Sequence, residues 1–285
     1  MPPSLPKLFL AEVVGTFLLV LFGCGAVHAD VLTGAQSGLW QVAIVWGVAI
    51  MLAIYVVGAI SGAHINPAIT VAFAAWGRLT WSRVPLYITA QMCGAFIAAA
   101  ALFAAYNPYL VQKEEERKVT RGEPGSIITA MCYGEYYPNP GSLANADEPI
   151  DSAALDAHLR LVPHWAAFGV EVLGTAILAL VVFAVTDPRN PGAPLSNLAA
   201  VFVGLTVAAL ISIIAPLTQA CFNPARDFGP RLFAYLAGWG EAAIPGPNGI
   251  GFITVYIVAP VVGAVLGAGL YERVLRAPKS SSSSN

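Results

Sequence analysis

Asn66-Pro67-Ala68 and Asn223-Pro224-Ala225 are two copies of one triplet, and each stands just after a long apolar run of the chain. Proline suits the first turn of a helix, because its missing N–H would have no partner there. Asparagine caps such a helix well and can keep an amide N–H free as a donor. The two triplets therefore predict two short helices, each beginning with a polar amide in apolar surroundings.

The composition is typical of a membrane protein. Of the 285 residues, 57% are hydrophobic and 11% are charged, and the mean hydropathy is +0.70. A spanning helix needs about 20 apolar residues. The windows that meet this need are roughly 8–29, 39–60, 84–106, 164–185, 195–215 and 252–274. The net charge of −2 gives no indication of a nucleic-acid partner.

The two halves of the chain resemble each other beyond the triplets. Glu12-Val13-Val14-Gly15-Thr16 in the first helix matches Glu171-Val172-Leu173-Gly174-Thr175 in the fourth. The glutamate precedes its triplet by 54 positions in the first half and by 52 in the second. This is an internal repeat. Because each copy holds three spanning helices, the second copy must enter the membrane from the opposite side, which makes the repeat inverted.

In an inverted repeat the two triplets approach the middle of the bilayer from opposite faces. Non-helical backbone at that depth is tolerated only where it is buried in protein or lines a watery cavity. We therefore predict an all-α membrane protein with six transmembrane helices and two re-entrant half-helices around a pore or a central binding site. One channel domain would cover 1–275, with repeats over about 7–106 and 164–275, an extracytoplasmic loop over about 107–163 and a disordered tail at 276–285.

The basic residues predict the orientation. Short cytoplasmic loops carry an excess of lysine and arginine, whereas long loops count weakly. With both termini inside, the cytoplasmic side holds Lys7, Arg78, Arg83, Arg189, Arg273, Arg276 and Lys279. The other side holds Arg226, Arg231 and the basic residues of the long loop. We expect a multi-pass protein of the cell membrane with both termini in the cytoplasm.

The long loop and the cysteines are expected to carry no chemistry. The loop contains Glu114, Glu115 and Glu116, and we expect a solvated surface with a little helix near 151–160. The cysteines at 24, 93, 132 and 221 have neither metal-site spacing nor a disulfide framework. Three would pack as small hydrophobes, while Cys132 in the polar loop would be a free, exposed thiol. No cofactor or metal site is predicted.

These motifs resemble the major intrinsic protein family, the aquaporins and aquaglyceroporins. The resemblance rests on the paired triplets, the Glu-x-x-Gly-Thr starts, Ser61-Gly62-Ala63-His64 before the first triplet and Arg226-Asp227-Phe228-Gly229-Pro230 after the second. It covers nearly the whole chain except most of the 107–163 loop and the tail. It implies that Asn66 and Asn223 meet at mid-membrane and donate hydrogen bonds to a passing solute.

Electrostatics agrees with that role. The N-terminus of a helix carries about half a positive charge, so two opposed half-helices repel cations and protons where they meet. Arg226 adds a fixed guanidinium to an apolar segment, which is costly and indicates function. The resemblance places Arg226 in a narrow selectivity filter. The alternative is an arginine that snorkels to the membrane interface.

The other filter positions follow from the resemblance by spacing. Trp46 lies 20 residues before the first triplet, and Ile211 and Ala220 lie twelve and three before the second. Water-selective members usually have His at position 211, whereas bacterial glycerol facilitators usually have Gly there and Phe at position 220. The set Trp46, Ile211, Ala220 and Arg226 is closer to the plant nodulin-26-like channels.

The residues after the second triplet favour a glycerol-conducting member. Asp227 directly after the arginine is a mark of such members, and Arg231 also fits their pattern. The same two side chains could instead form a local ion pair that fixes the half-helix. Tyr256 and Ile257 depart from the Pro-Leu pair that is usual in the last helix of these members.

Glu12 and Glu171 have two interpretations. As proton relays they would indicate a coupled transporter. As structural groups they would accept hydrogen bonds from the re-entrant backbone, which is their use in the family. We favour the structural role, because no other buried titratable group is expected that could extend a relay. His64 would offer its backbone carbonyl to the pore, with its imidazole serving for packing and hydrogen bonding.

The resulting hypothesis is a passive channel in the lipid bilayer for glycerol, other small uncharged solutes and water, with no enzymatic activity. The family implies a homotetramer with one pore per subunit. A strict water channel is one alternative, and it would need a narrower filter. A proton-coupled secondary transporter is another, because inverted repeats and broken helices also occur there. A non-conducting junctional or adhesive member is a third. The sequence does not rank glycerol against urea or undissociated metalloid acids.

Overall fold

The structure, a computed structural model, describes residues 3–146, 150, 152–195 and 197–278. Lys279 and the serine-rich part of the predicted tail lie outside the described residues. The helices in chain order are α1 Leu5–Thr33, α2 Leu39–Ser61, α3 Pro67–Ala75, α4 Val84–Glu116, α5 Ile127–Ala130, α6 Gly141–Ala144, α7 Ser152–Leu159, α8 His164–Val185, α9 Ala199–Thr218, α10 Pro224–Ala234 and the last helix, Gly251–Leu275.

Six of these helices are long and apolar enough to cross a membrane within the described part of the chain. They are α1, α2, α4, α8, α9 and the last helix, and each contains most of one of the predicted windows. The six predicted spans are therefore confirmed. The short helix expected near 151–160 is α7.

The half-helices α3 and α10 begin at the two triplets. The side-chain oxygen of Asn66 accepts hydrogen bonds from the N–H groups of Ala68 and Ile69, at 2.8 and 3.4 Å. The side chain of Asn223 caps α10 in the same way. A proline occupies the first turn of each half-helix. Since the oxygen of each asparagine faces its own helix, the amide nitrogen is left to point elsewhere.

Helix α4 extends beyond the apolar window that predicts it. The window ends at 106, but the helix continues to Glu116, with Pro108 inside it. Leu110 in this extension is fully buried, and Glu114 pairs with Arg121 of the long loop. Hydropathy marks only the part of a helix that lies in lipid, whereas the extra turns are stabilised by the loop that packs on them.

The long loop is not the solvated surface that its sequence suggests. Residues 126–138 are buried and form a core with the ends of α1, α4 and α10. Cys132, expected to be exposed, is fully buried in this core, and so is the side chain of Glu135. Only part of the expectation holds, since Glu115 and Glu116 are exposed. A polar loop can turn inward when its polar groups find partners on a distant segment, which local sequence does not reveal.

Close helix crossings depend on small residues. Helix α2 packs on α9 and thereby joins the two halves of the chain. At this crossing Gly47 faces Gly204, and a Cβ added at 47 would lie 2.7 Å from the carbonyl oxygen of Gly204. Small residues let membrane helices approach closely, which compensates for the lack of a hydrophobic driving force in lipid. The crossing therefore requires glycine.

We predict that Gly47→Ala destabilises the protein by about 1–3 kcal/mol, because the added methyl group must push the α2 and α9 backbones apart. Gly169→Ala is the matched control, since Gly169 is exposed on α8 with open space for a Cβ. Alanine there should stabilise the helix by about 0.5–1 kcal/mol. Thermal unfolding in detergent compares the two variants, and a wild-type melting temperature for Gly47→Ala would contradict the prediction.

Candidate functional site

The two triplets meet at the centre of the molecule through reciprocal hydrogen bonds. Nδ2 of Asn66 donates to the carbonyl of Phe222 at 2.8 Å, and Nδ2 of Asn223 donates to the carbonyl of Ile65 at 2.9 Å. Each asparagine thus bonds the residue just before the other one. An amide nitrogen carries two N–H donors, and the second one has no acceptor among the described residues. Two free donors therefore remain where the half-helices meet.

The first re-entrant loop is held by a fully buried carboxyl group. Glu12 accepts hydrogen bonds from the N–H groups of His64 at 3.0 Å and Ile65 at 2.8 Å. It also accepts from the Ser61 hydroxyl at 2.6 Å and the Gln91 amide at 2.8 Å. Each carboxyl oxygen has two donors, so this side chain is fully used in holding the loop.

The second loop repeats this arrangement. Glu171, also fully buried, accepts from the N–H groups of Cys221 at 3.0 Å and Phe222 at 2.9 Å. The hydroxyl of Thr218 donates to it at 2.6 Å. These donors occupy the same places relative to the second triplet as those of the first loop do relative to the first. These are the contacts expected if the two glutamates are structural groups that accept hydrogen bonds from the re-entrant backbone.

The loop backbone is unusual at matching places in both halves. Positive φ angles occur at Ala63 (49°), Ile65 (43°), Ala220 (61°) and Phe222 (51°). Such angles are uncommon outside glycine, and for a β-branched residue they are outliers. The N–H and C=O of a trans peptide point in opposite directions. Because the N–H groups of His64 and Ile65 face Glu12, the carbonyls of Ala63 and His64 point away from it.

The side chain of His64 packs rather than projecting as a ligand. Its ring lies against Phe73 and Tyr87, with centroid distances of 4.6 and 4.7 Å. Its Nδ1 is 3.2 Å from the hydroxyl of Thr70. The residue lines a cavity, and its carbonyl is directed away from the bracing glutamate. Both features agree with the roles expected for its carbonyl and its imidazole.

Two cavities share a small set of lining residues, and we call this place the junction. The first, the terminal-side cavity, reaches both asparagines, is lined mainly by apolar side chains of α2, α8 and α9, and has a volume of about 120 Å³. The second, the loop-side cavity, lies under the long loop and is larger, about 500 Å³. Trp46, Ile211 and Arg226 line both cavities, whereas Ala220 lines the terminal-side cavity. Three of the four predicted filter residues therefore lie at the junction.

Arg226 is held at this junction on three sides. The centre of its guanidinium group lies 4.5 Å from the centroid of the Trp46 ring. Nη1 donates to the carbonyl of Tyr133 at 3.1 Å, and Nε lies 2.8 Å from Oε1 of Glu135. No acceptor contacts Nη2 among the residues that the structure describes. The side chain is only 4% exposed, so the alternative of an arginine that snorkels to the interface is wrong.

Glu135 is a site residue that the sequence analysis missed. Its side chain is fully buried, as is that of Asp227, so the protein contains buried acids besides Glu12 and Glu171. Burial raises the pKa of the Glu135 carboxyl, and the adjacent Arg226 guanidinium opposes this rise. No local pattern marks Glu135 among the other loop acids, because its role depends on where the loop packs.

The pair Asp227 and Arg231 joins the long loop to α10. Nη2 of Arg231 lies 2.8 Å from Oδ1 of Asp227, which is the local ion pair considered from the sequence. Asp227 also accepts the N–H of Glu135 at 2.7 Å, and Arg231 donates to the Glu135 carbonyl. Gln219 accepts the N–H of Tyr136 at 2.9 Å. The ion pair therefore fixes the loop as well as the half-helix.

Comparison with known proteins gives close relatives over nearly the full length. The chain is 42% identical over 270 residues to the glycerol uptake facilitator protein of Pseudomonas aeruginosa, covering 95% of this chain and 89% of the relative. It is 38% identical over 275 residues to the glycerol uptake facilitator protein of Haemophilus influenzae, covering 96% of each.

The fold is also that of a solved structure. The X-ray structure of the aquaglyceroporin from Plasmodium falciparum matches with a TM-score of 0.77 over 95% of this chain and 97% of that chain, at 24% identity. The inverted repeat with two half-helices is thus shared with that protein. The sequence profile of the family described as Major intrinsic protein matches residues 3–271. The chain therefore belongs to the major intrinsic protein family.

Proposed function

We propose that this protein is a passive channel for glycerol, other small uncharged solutes and water, and that it excludes ions and protons. The observation that carries the proposal is a series of free donors beside two cavities that share lining residues: the second amide N–H of Asn66 and of Asn223, then Nη2 of Arg226. Most of the remaining lining is apolar. A polyol needs this combination, since its hydroxyls require partners while its carbons require none. The two bacterial relatives, both glycerol uptake facilitator proteins, support glycerol as the solute.

Trp46, Ile211, Ala220 and Arg226 form the selectivity filter in this proposal. Compared with the pattern of bacterial glycerol facilitators, the side chain at 211 is larger and the one at 220 is smaller. The opening can therefore have a similar width, with the bulky apolar side chain at position 211 instead of position 220. Trp46 and Ile211 would contact the carbons of a solute, and Arg226 would contact its hydroxyls through Nη2.

Exclusion of cations and protons follows from the charges along the lumen. The N-termini of α3 and α10 oppose each other, and each carries about half a positive charge. Arg226 adds a buried guanidinium at the constriction. A cation would have to pass both barriers after losing part of its hydration shell, which is the principle that channels for neutral solutes use.

A proton-coupled transporter is less consistent with the geometry. A relay needs carboxyl groups that can exchange protons along a path. Glu12 and Glu171 instead accept hydrogen bonds from backbone N–H and side-chain groups that hold the re-entrant loops. Protonating either carboxyl would replace an acceptor by a donor that faces other donors. We therefore propose that both glutamates are structural.

We also propose a homotetramer in the cell membrane, with both termini in the cytoplasm. The basic residues near the ends of the spans support this orientation. Large apolar side chains are exposed on the outer faces of the spanning helices, among them Leu10, Ile97, Leu173, Ile213 and Leu266. These faces suit contact with lipid or with neighbouring subunits.

Proteoliposomes test the proposed function by light scattering, first in a sucrose gradient for water and then in a glycerol gradient. We expect both permeabilities to exceed those of empty vesicles, and glycerol flux to rise linearly with its gradient. A proton gradient should have no effect. High water permeability with glycerol permeability equal to that of empty vesicles would assign the protein to the strict water channels.

Substitutions at position 211 test the filter. Ile211→His should lower glycerol permeability by about tenfold but water permeability less, because it places a polar group where the carbon atoms of glycerol would contact the filter. Ile211→Gly should widen the opening and admit a five-carbon polyol. Permeabilities to glycerol, urea and that polyol are compared for both variants. Unchanged ratios in both would show that Ile211 is not in the filter.

Substitutions at Glu12 and Glu171 separate a channel from a coupled transporter. Glu→Gln at either position keeps one acceptor oxygen and turns the other into a donor, so more of the flux should remain than after Glu→Ala. Glu→Ala strands the donors at about 1–3 kcal/mol each and should reduce the yield of assembled protein or the flux. Size-exclusion chromatography and glycerol flux measure the two effects. Loss of a pH-gradient dependence in an assembled Glu→Gln variant would instead support the transporter.

A further inference from the structure

The buried contact between Glu135 and Arg226 links the long loop to the constriction. Glu135 is fully buried and lies beside neither cavity, but its Oε1 is 2.8 Å from Nε of Arg226. The guanidinium carbon of the same arginine lies 4.5 Å from the centroid of the Trp46 ring. Arg226 thus contacts a carboxyl group that lines neither cavity and an aromatic ring that lines both.

This contact is an ion pair held by charge. Besides Arg226, the Glu135 carboxyl group interacts with the thiol of Cys221, which is only a weak hydrogen-bond donor. A carboxylate and a guanidinium in a buried site compensate each other, and removing one leaves the other without a counter-charge. The position of Arg226 therefore depends on Glu135 more than a pair at the protein surface would.

The backbone around Glu135 is held by contacts that do not involve the Glu135 side chain. Its N–H donates to Asp227, and its carbonyl accepts from Arg231. A Cβ added at Gly134 would lie 2.9 Å from the guanidinium carbon of Arg231, so a larger residue there would have to displace the arginine side chain. Nη1 of Arg226 donates to Tyr133 in the same segment. The segment 133–135 is therefore a rigid support for the arginine.

We propose that Glu135 is a positioning residue that holds Arg226 back from the lumen and thereby sets the solute selectivity of the constriction. This inference rests on the proposed channel function. Without the Glu135 charge, the direct contacts that remain on the guanidinium are the Tyr133 carbonyl and the face of Trp46, which is a cation–π contact, while Asp227 attracts it at longer range. Arg226 would then move toward the ring and narrow the opening. Glycerol fills the opening more than water does, so its flux falls further.

Glu135→Gln is the test variant, because it removes the charge with little change in shape. We expect the ratio of glycerol to water permeability to fall by at least about threefold in proteoliposomes, as for other losses of a buried charge partner. Glu114→Gln is the matched control, since Glu114 is a buried acid of the same region that pairs with Arg121 instead. Its ratio should stay at the wild-type value. Melting temperature and size-exclusion profile verify assembly of both variants.

A double-mutant cycle shows whether Glu135 acts through Arg226. In an Arg226→Ala background, Glu135→Gln should leave the ratio unchanged, because there is no guanidinium left to position. A fall of the same size in both backgrounds would mean a general effect on the loop and would overturn the proposal. So would a wild-type ratio for assembled Glu135→Gln in the native background.

Two further outcomes are covered by the same measurements. If Glu135→Gln does not assemble, Glu135→Asp replaces it, since aspartate keeps the charge but withdraws it from Arg226 by one methylene. The same fall in the ratio of glycerol to water permeability is expected. If the wild type conducts water but not glycerol, the proposed function fails independently. The comparison then uses water permeability, which Glu135→Gln should lower relative to Glu114→Gln. Equal water permeabilities would overturn the role of Glu135.

Discussion

The whole architecture depends on satisfying two stretches of non-helical backbone in the middle of a membrane. Lipid supplies no hydrogen-bond partners, so every group in these stretches must find one in the protein or in a watery lumen. The N–H groups of the loops are bound by Glu12 and Glu171, and the carbonyls of Ile65 and Phe222 by the asparagines of the opposite half. The remaining carbonyls are free to line the lumen, so the same bonds that stabilise the loops also create its polar face.

The centre of the pore is symmetric, whereas its selectivity arises from asymmetry. Both halves use the same glutamate, the same left-handed backbone positions and the same capped half-helix. Three residues after the asparagine, however, the first half has Ile69 and the second has Arg226. Only the second half therefore carries a guanidinium, and the long loop between the halves packs against it. An inverted repeat thus provides the scaffold, and we propose that one substituted position with its supporting loop provides the filter.

The long loop shows where sequence reasoning failed. Its polar composition and its lack of periodicity indicated a solvated segment, and by that criterion Cys132 was expected to be exposed and Glu135 was overlooked. Both are buried because α10 offers Asp227 and Arg231 as partners for the loop backbone. Those two residues were noted from the sequence, but their contact with residue 135 joins segments more than 90 positions apart in the chain. No local pattern encodes such a contact.

The sequence by itself determined the six spans, the inverted repeat, the two capped half-helices and the residues Trp46, Ile211 and Arg226 that meet at the junction. The spans, the repeat and the half-helices follow from hydropathy, chain direction and short motifs, which are local or periodic properties, whereas the three filter positions follow from the resemblance to the family. The tertiary structure alone decided which donors each buried glutamate accepts, how the asparagines bond across the centre and what holds Arg226 in place. Those are distances between segments remote in sequence, and they are set only when the two halves and the loop pack together.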